Sequence, residues 1–136
     1  MFAGEYVGHI YFNDDYFGFD DSFYSTARIL QILSNTDKKY SELLDGITKY
    51  VGTPERLVRV TDETKFEIVE KCTQYFKEKG YKVIDIDGAR VLYNGGWGLV
   101  RASNTGPNLS IKAEAMTEEQ CNEIMNEIED AIKKFE

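Results

Sequence analysis

Apolar residues change their period several times along this chain, and each change predicts an element. Arg56 to Val60, RLVRV, is a short strand. After it, Thr61 or Asp62 can cap a helix whose apolar positions Phe66, Val69, Cys72, Tyr75 and Phe76 recur at helical spacing, with Gly80 as its stop. The period then shortens to two. Tyr81–Ile86, Ala89–Tyr93 and Trp97–Ala102 read as strands, and the Asp87-Gly88 and Asn94-Gly95-Gly96 steps between them supply the positive φ that tight turns need. Next, Leu109, Ile111, Ala113 and Ala115 alternate with Ser110, Lys112 and Glu114, the pattern of a strand with one face on a core and one in water. Thr117-Glu118-Glu119-Gln120 is a capping box, and Cys121, Ile124, Met125, Ile128, Ala131, Ile132 and Phe135 mark one continuous helical face. Two helices covering one face of a four- to five-stranded, mostly antiparallel sheet make an α+β layer architecture.

The first fifty residues differ in kind. Nine of the eighteen aromatic residues lie between Phe2 and Tyr24, more apolar surface than one strand and one helix can hide. Asp20, Asp21 or Ser22 can cap a helix that carries Phe23, Ala27, Leu30 and Leu33 on one side, and a second short helix is expected from about Tyr40 to Lys49. Gly52 and Pro54 mark a boundary before the first strand of the later domain. The early segment therefore reads as the end of something larger, and residues 1–45 are expected to seek a partner surface or to drive self-association.

Composition narrows the functional classes. At 136 residues and 42% hydrophobic, the chain can build one substantial core. A formal net charge of -8 argues against nucleic acid as a partner, because phosphate-backbone binding needs a surplus of Lys and Arg. No run of eighteen apolar residues predicts a membrane span and no secretion signal is visible, so the expected location is the cytoplasm. Cys72 and Cys121 fall on helix stripes and are expected to be buried, reduced thiols.

Two clusters carry candidate chemistry. Arg101, Ser103, Asn104 and Thr105 bring a guanidinium fork, two hydroxyls and an amide together before Gly106-Pro107, where a tight turn can also aim backbone N–H groups inward as an anion nest. The same residues could equally form a plain turn between strands, with Arg101 pairing a carboxylate. In the second cluster, Glu5 and His9 stand four residues apart among glycines, a sugar-hydroxyl acceptor beside a proton carrier that titrates near neutral pH, or two ordinary surface residues.

Both clusters carry a resemblance. GEYVGHIYFNDDYFGFDDSFYSTARILQILS resembles the end of the third domain of the α-D-phosphohexomutases, the phosphomannomutase/phosphoglucomutase family, whose sugar loop reads G-E-M-S-G-H. GYKVIDIDGARVLYNGGWGLVRASNTGPNLSIKAEA resembles the fourth domain, with its G-W-G-L-V-R-A-S-N-T-x-P phosphate signature. The resemblance implies that residues 1–49 are the remnant of a sugar-binding third domain. Residues 50–136 would then be a C-terminal phosphate-binding domain of TATA-box-binding-protein-like fold. It further implies that Glu5 meets the sugar hydroxyls, that His9 faces the reacting end of the substrate, and that Arg101, Ser103, Asn104 and Thr105 hold the phosphate that is not transferred. Val7 stands where the family commonly has a serine, which removes one sugar contact.

In that family a phosphoserine in the first domain exchanges a phosphoryl group with the 1- or 6-position of a hexose phosphate. The serine loop T-A-S-H-N-P and the metal loop D-G-D-G-D-R do not occur here. Asp85, Asp87 and Gly88 are assigned to a turn, so no metal site is expected in this chain, and the Mg2+ implied for the intact enzyme would be held elsewhere. The expected partners are a hexose phosphate and the absent N-terminal domains, with the chain inactive alone. The alternative is a non-catalytic phosphosugar-binding or protein-interaction module.

Overall fold

In the computed structural model, which describes residues 1–5 and 7–136, the chain divides into two units, Met1–Ile47 and Thr48–Glu136. The second is built on an antiparallel sheet of six strands: β3 (Val51–Gly52), β4 (Arg56–Arg59), β5 (Lys82–Ile84), β6 (Ala89–Tyr93), β7 (Gly96–Ala102) and β8 (Asn108–Ala115). Its order is β3-β8-β7-β6-β5, with β4 following β3 along the same flank of β8. The sequence pattern predicts four or five strands. The sixth is β3, whose Val51 and Gly52 pair with Ala115 and Glu114, so the sheet begins before Pro54 rather than after it. Pro54 has no N–H to give the ladder. Thr53 bridges the gap, its N–H donating to the Ala113 carbonyl at 2.9 Å and its Oγ1 accepting from the Ala113 N–H at 2.9 Å.

Two connections behave differently. Between β6 and β7, Tyr93 pairs with Gly96, leaving Asn94 and Gly95 as a two-residue loop in which Gly95 takes φ +81. Between β5 and β6 the pairing stops at Ile84 with Arg90, so the strand is shorter than its alternating pattern predicts and Ile86 is left 93% exposed. Gly88 is required there. It takes φ +89, and a Cβ would overlap the Val100 carbonyl and the Arg101 backbone.

Helices α2 (Lys65–Glu78) and α3 (Glu118–Phe135) cover one face of the sheet. α3 follows its predicted stripe: the Thr117 side chain accepts from the Gln120 N–H, and Cys121, Ile124, Met125, Ile128, Ala131 and Ile132 are buried. Gly98 in β7 lets α3 approach, since a Cβ would run into Ile128 and Ile124. α2 starts later than its expected caps. Thr61 Oγ1 accepts from the Thr64 N–H at 3.3 Å, so residues 61–64 form a turn that leads into the helix. Its buried face is Lys65, Ile68, Val69, Cys72 and Phe76, while Phe66 is 60% exposed. Both cysteines are free and buried, and burial pushes the Cys72 thiol up to about 12.

The first unit pairs β1 (Phe2–Gly4) with β2 (Ile10–Phe12) and adds α1 (Ser22–Ser34). Asp21 caps α1, Oδ1 accepting from the Tyr24 N–H at 2.9 Å and Oδ2 from the Tyr16 hydroxyl at 2.5 Å. Those acceptor bonds favour the ionised form and hold the Asp21 carboxyl below its usual range. Tyr16 stacks on Tyr24 at 3.8 Å, and the Arg28 guanidinium lies 5.3 Å over the Phe12 ring. The expected stripe of α1 is mostly its outer side. Phe23, Ala27 and Leu30 are exposed, whereas Tyr24, Ser25, Arg28 and Ile29 are half-buried. In place of the expected second helix there is a single 3-10 turn, Tyr40–Glu42. Among the described residues of this unit, none is buried.

Candidate functional site

Arg101 and the residues after it occupy the end of β7, where the chain turns back into β8. Ala102 is buried against the helices, so its neighbour Arg101 points to the opposite, open face of the sheet by strand alternation. The loop that follows is closed by backbone bonds: Ser103 N–H donates to the Asn108 carbonyl and Asn108 N–H to the Gly106 carbonyl, both at 2.9 Å. Val60, just after β4, ties its far side by donating to the Pro107 carbonyl at 2.9 Å. Within the loop, Ser103 Oγ lies 3.3 Å from Thr105 Oγ1 and accepts from the Thr105 N–H at 3.3 Å. Asn104 and Thr105 are exposed, and Ser103 is half-buried. Arg101, Ser103, Asn104 and Thr105 are thus brought to one solvent-facing turn.

Arg101 also has a carboxylate neighbour. Its Nη1 donates to Asp87 Oδ2 at 3.4 Å, with the Arg101 side chain 45% and the Asp87 side chain 68% exposed. The arrangement follows from Gly88, whose missing Cβ lets the β5–β6 connection lie directly on Arg101. The pair is long and open to water, which makes it weak and exchangeable.

Glu5 and His9 lie in the first unit, at the end of the β1–β2 hairpin, where the Glu5 N–H donates to the His9 carbonyl at 2.8 Å. Gly8, at φ +95, supports that turn, and Val7 is 73% exposed. Tyr6, the remaining residue of the quoted sugar-loop motif, lies outside the described residues. Glu5 Oε1 accepts from the Tyr11 hydroxyl at 2.5 Å. His9 Nδ1 lies 2.5 Å from Asp20 Oδ2, while Asp20 Oδ1 accepts from the Ile10 N–H at 3.2 Å. Hydrogen bonding and the negative charge of Asp20 raise the His9 pKa above its ordinary 6.5, with a smaller contribution from Glu5. The pair therefore favours an imidazolium with one ring nitrogen engaged.

Among the described residues, no three His, Cys, Asp or Glu side chains converge as a metal site requires. Asp85 pairs with Lys77 at 2.7 Å and Asp87 with Arg101, so the acidic residues around Gly88 are engaged with cations of the protein itself. No helix among the described residues is long and apolar enough to cross a membrane.

Comparison with known proteins matches both halves. Residues 57–131 match the family model described as phosphoglucomutase/phosphomannomutase, C-terminal domain, and residues 1–50 match alpha/beta/alpha domain III of the same enzymes. The chain belongs to the phosphoglucomutase/phosphomannomutase family. It is 42% identical over 134 residues to a phosphomannomutase/phosphoglucomutase of Pseudomonas syringae pv. tomato, covering 98% of this chain and 29% of that relative. A phosphomannomutase/phosphoglucomutase of Pseudomonas aeruginosa is 39% identical over 133 residues, again with 98% and 29% covered. A crystal structure of a family protein from Burkholderia thailandensis superposes with a TM-score of 0.81 at 36% identity, covering 98% of this chain and 28% of that one. The chain thus spans less than a third of the length of these relatives, and the α+β layering follows the family's fold.

Three residues at these two candidate clusters carry contacts that the sequence pattern did not single out: Lys65, Asp20 and Tyr11. Lys65 is 6% exposed, and its Nζ donates to Ser103 O at 2.7 Å, Gly106 O at 3.2 Å and Asp62 Oδ1 at 2.7 Å. Its signal was present, since Lys65 falls on the same helical face as Ile68, Val69, Cys72 and Phe76. A lysine at a core-facing position demands partners. Asp20 and Tyr11 carry no comparable signal, because both fall in polar or aromatic runs where many residues could serve.

Proposed function

We propose that this chain supplies two parts of a phosphohexomutase that interconverts hexose 1-phosphate and hexose 6-phosphate, with mannose or glucose as the sugar. Residues 1–49 belong to its third domain and contribute Glu5 to the sugar hydroxyls and His9 to the reacting end of the substrate. Residues 50–136 are its C-terminal domain, in which Arg101, Ser103, Asn104 and Thr105 clamp the phosphate that is not transferred. The observation that carries the reading is the solvent-facing turn at the end of β7, where a guanidinium, two hydroxyls and an amide share one loop. Such a clamp orients as well as binds, and orientation supplies much of the rate in phosphoryl transfer.

The nucleophilic serine and the Mg2+ site belong to the remaining domains of such an enzyme, so the chain is inactive alone. His9, whose pKa is raised by the hydrogen bond and charge of Asp20, is suited to donate a hydrogen bond or a proton to an oxygen at the reacting end. The exposed aromatic surface of the first unit, with Phe17 84% and Phe23 88% exposed, supports a second role as a contact surface for those domains or for another copy of the chain.

The test is an amide NMR titration of the chain with glucose 1-phosphate and mannose 1-phosphate, repeated on Arg101→Ala. Saturable shifts centred on residues 101–107 are expected, with affinity in Arg101→Ala falling about tenfold or more, as loss of a charged hydrogen-bond donor would give. A folded chain with no response to either sugar phosphate would overturn the clamp.

A further inference from the structure

We propose that Lys65 is a positioning residue for the phosphate loop: its buried ammonium anchors the inner side of residues 103–106 and so aims their donors outward. The inference rests on the clamp reading above and extends it to a residue that does not itself touch the ligand. Lys65 is the first residue of α2 and lies on that helix's core face, with only 6% of its surface exposed. An ammonium has three protons to donate, and all three are placed: on Asp62 Oδ1 at 2.7 Å, Ser103 O at 2.7 Å and Gly106 O at 3.2 Å. Two of these acceptors bracket the loop from thirty-eight and forty-one residues away in sequence.

The geometry of the peptide unit turns this anchoring into direction. In a trans peptide the C=O and the following N–H point opposite ways. Drawing the Ser103 carbonyl in toward Lys65 therefore aims the Asn104 N–H away from the core, and that N–H donates to no acceptor among the described residues. The Gly106 carbonyl, held by Lys65 and also accepting from Asn108 N–H, sets the return of the loop at Pro107. Charge acts in the same sense. The Asp62 side chain is 64% exposed and screened by water, whereas the ammonium is buried, so positive potential remains on the inner wall of the loop. An apolar side chain would fill this core position without any of these requirements, and burying a lysine is costly unless it is paired and hydrogen-bonded, as Lys65 is by these three acceptors.

The experiment is a titration of the full isotope-labelled chain with inorganic phosphate and, separately, glucose 1-phosphate, on the wild type, Arg101→Ala, Lys65→Met, Lys65→Gln and Lys65→Arg, with Tm and the backbone order of residues 103–107 measured on each. Lys65→Met is expected to weaken phosphate binding about tenfold, to shift the Asn104 amide and to loosen the loop, as loss of charged hydrogen bonds would. Lys65→Arg, which keeps the charge and the donors, should recover part of the affinity. If Lys65→Met does not fold, Lys65→Gln decides by the same criterion. Wild-type binding that the lysine variants leave unchanged, or a lowered Tm with unchanged affinity, overturns this proposal and leaves the clamp standing. A folded wild type that binds neither probe overturns the clamp and this proposal together.

Discussion

Phe76 and Phe23 sit on helices of similar length, thirteen residues in α1 and fourteen in α2, yet Phe76 is fully buried and Phe23 is 88% exposed. The difference lies in what each helix has to pack against. α2 shares a sheet face with α3, and together they enclose Leu109, Ile111, Val91 and Val100 between helix and strand. α1 has a hairpin of two three-residue strands beside it, and its half-buried side is made chiefly of Tyr24, Ser25, Arg28 and Ile29. In the first unit aromatic rings meet one another through stacks and edges, and Tyr16, Phe17 and Phe19 form a cluster at 5.3 to 6.2 Å in which Phe17 and Phe19 stay exposed. Amphipathic pattern measures how much surface a helix must hide. It does not guarantee that the same chain supplies the cover.

That contrast makes its strongest claim about stability. Phe76→Ala should cost about 3–5 kcal/mol, the usual range for emptying a packed aromatic site. Phe23→Ala should stay within about 0.5 kcal/mol, as exposed substitutions do. Chemical denaturation of both variants checks the pair. Comparable losses would mean that the first unit has a core after all.

A smaller effect separates the two candidate sites, each of which pairs an acid with a base. Asp87→Asn removes the carboxylate that now occupies Arg101, and phosphate should bind about two- to threefold more tightly, the scale of an exposed ion pair. Unchanged affinity in a phosphate titration would show that Asp87 does not compete for the guanidinium.

The smallest effect concerns His9. Asp20→Asn should lower the His9 pKa toward its ordinary 6.5, because the carboxylate charge is lost and a neutral amide oxygen accepts only a weaker hydrogen bond. In the wild type the folded state binds this proton more tightly than the unfolded one. The stabilisation from the His9–Asp20 pair is therefore fully present below pH 6.5 and is lost as pH rises through the raised value. Ring-proton NMR across that window reads it directly, and identical titration curves for wild type and variant would remove Asp20 from the site.

Much of the second unit was legible in its residues. The Asn94-Gly95 loop, the alternation in β8 and the stripe of α3 all encode their geometry locally, through permitted φ values and the spacing of apolar side chains. The loop after Arg101 was legible for the same reason, since its donors are neighbours in sequence. What escaped was whatever depends on distant packing. β3 exists because Thr53 can borrow bonds from Ala113 around Pro54, and β5 stops at Ile84 because Gly88 must lie on Arg101. Neither fact is written in the spacing of either segment.

The residues alone determined the α+β layering, the turn at the end of β7 and the family to which its motifs point, because periodicity and turn chemistry act over a few neighbours. Only the tertiary structure decided which face of α1 stays open and that Asp20 meets His9. It alone set Asp87 against Arg101 and Lys65 beneath the loop that follows β7. These are pairings across 11, 14 and 38 positions of the chain. A side chain's type states what partner it needs, and the folded backbone selects which distant group stands within hydrogen-bonding distance to meet that need.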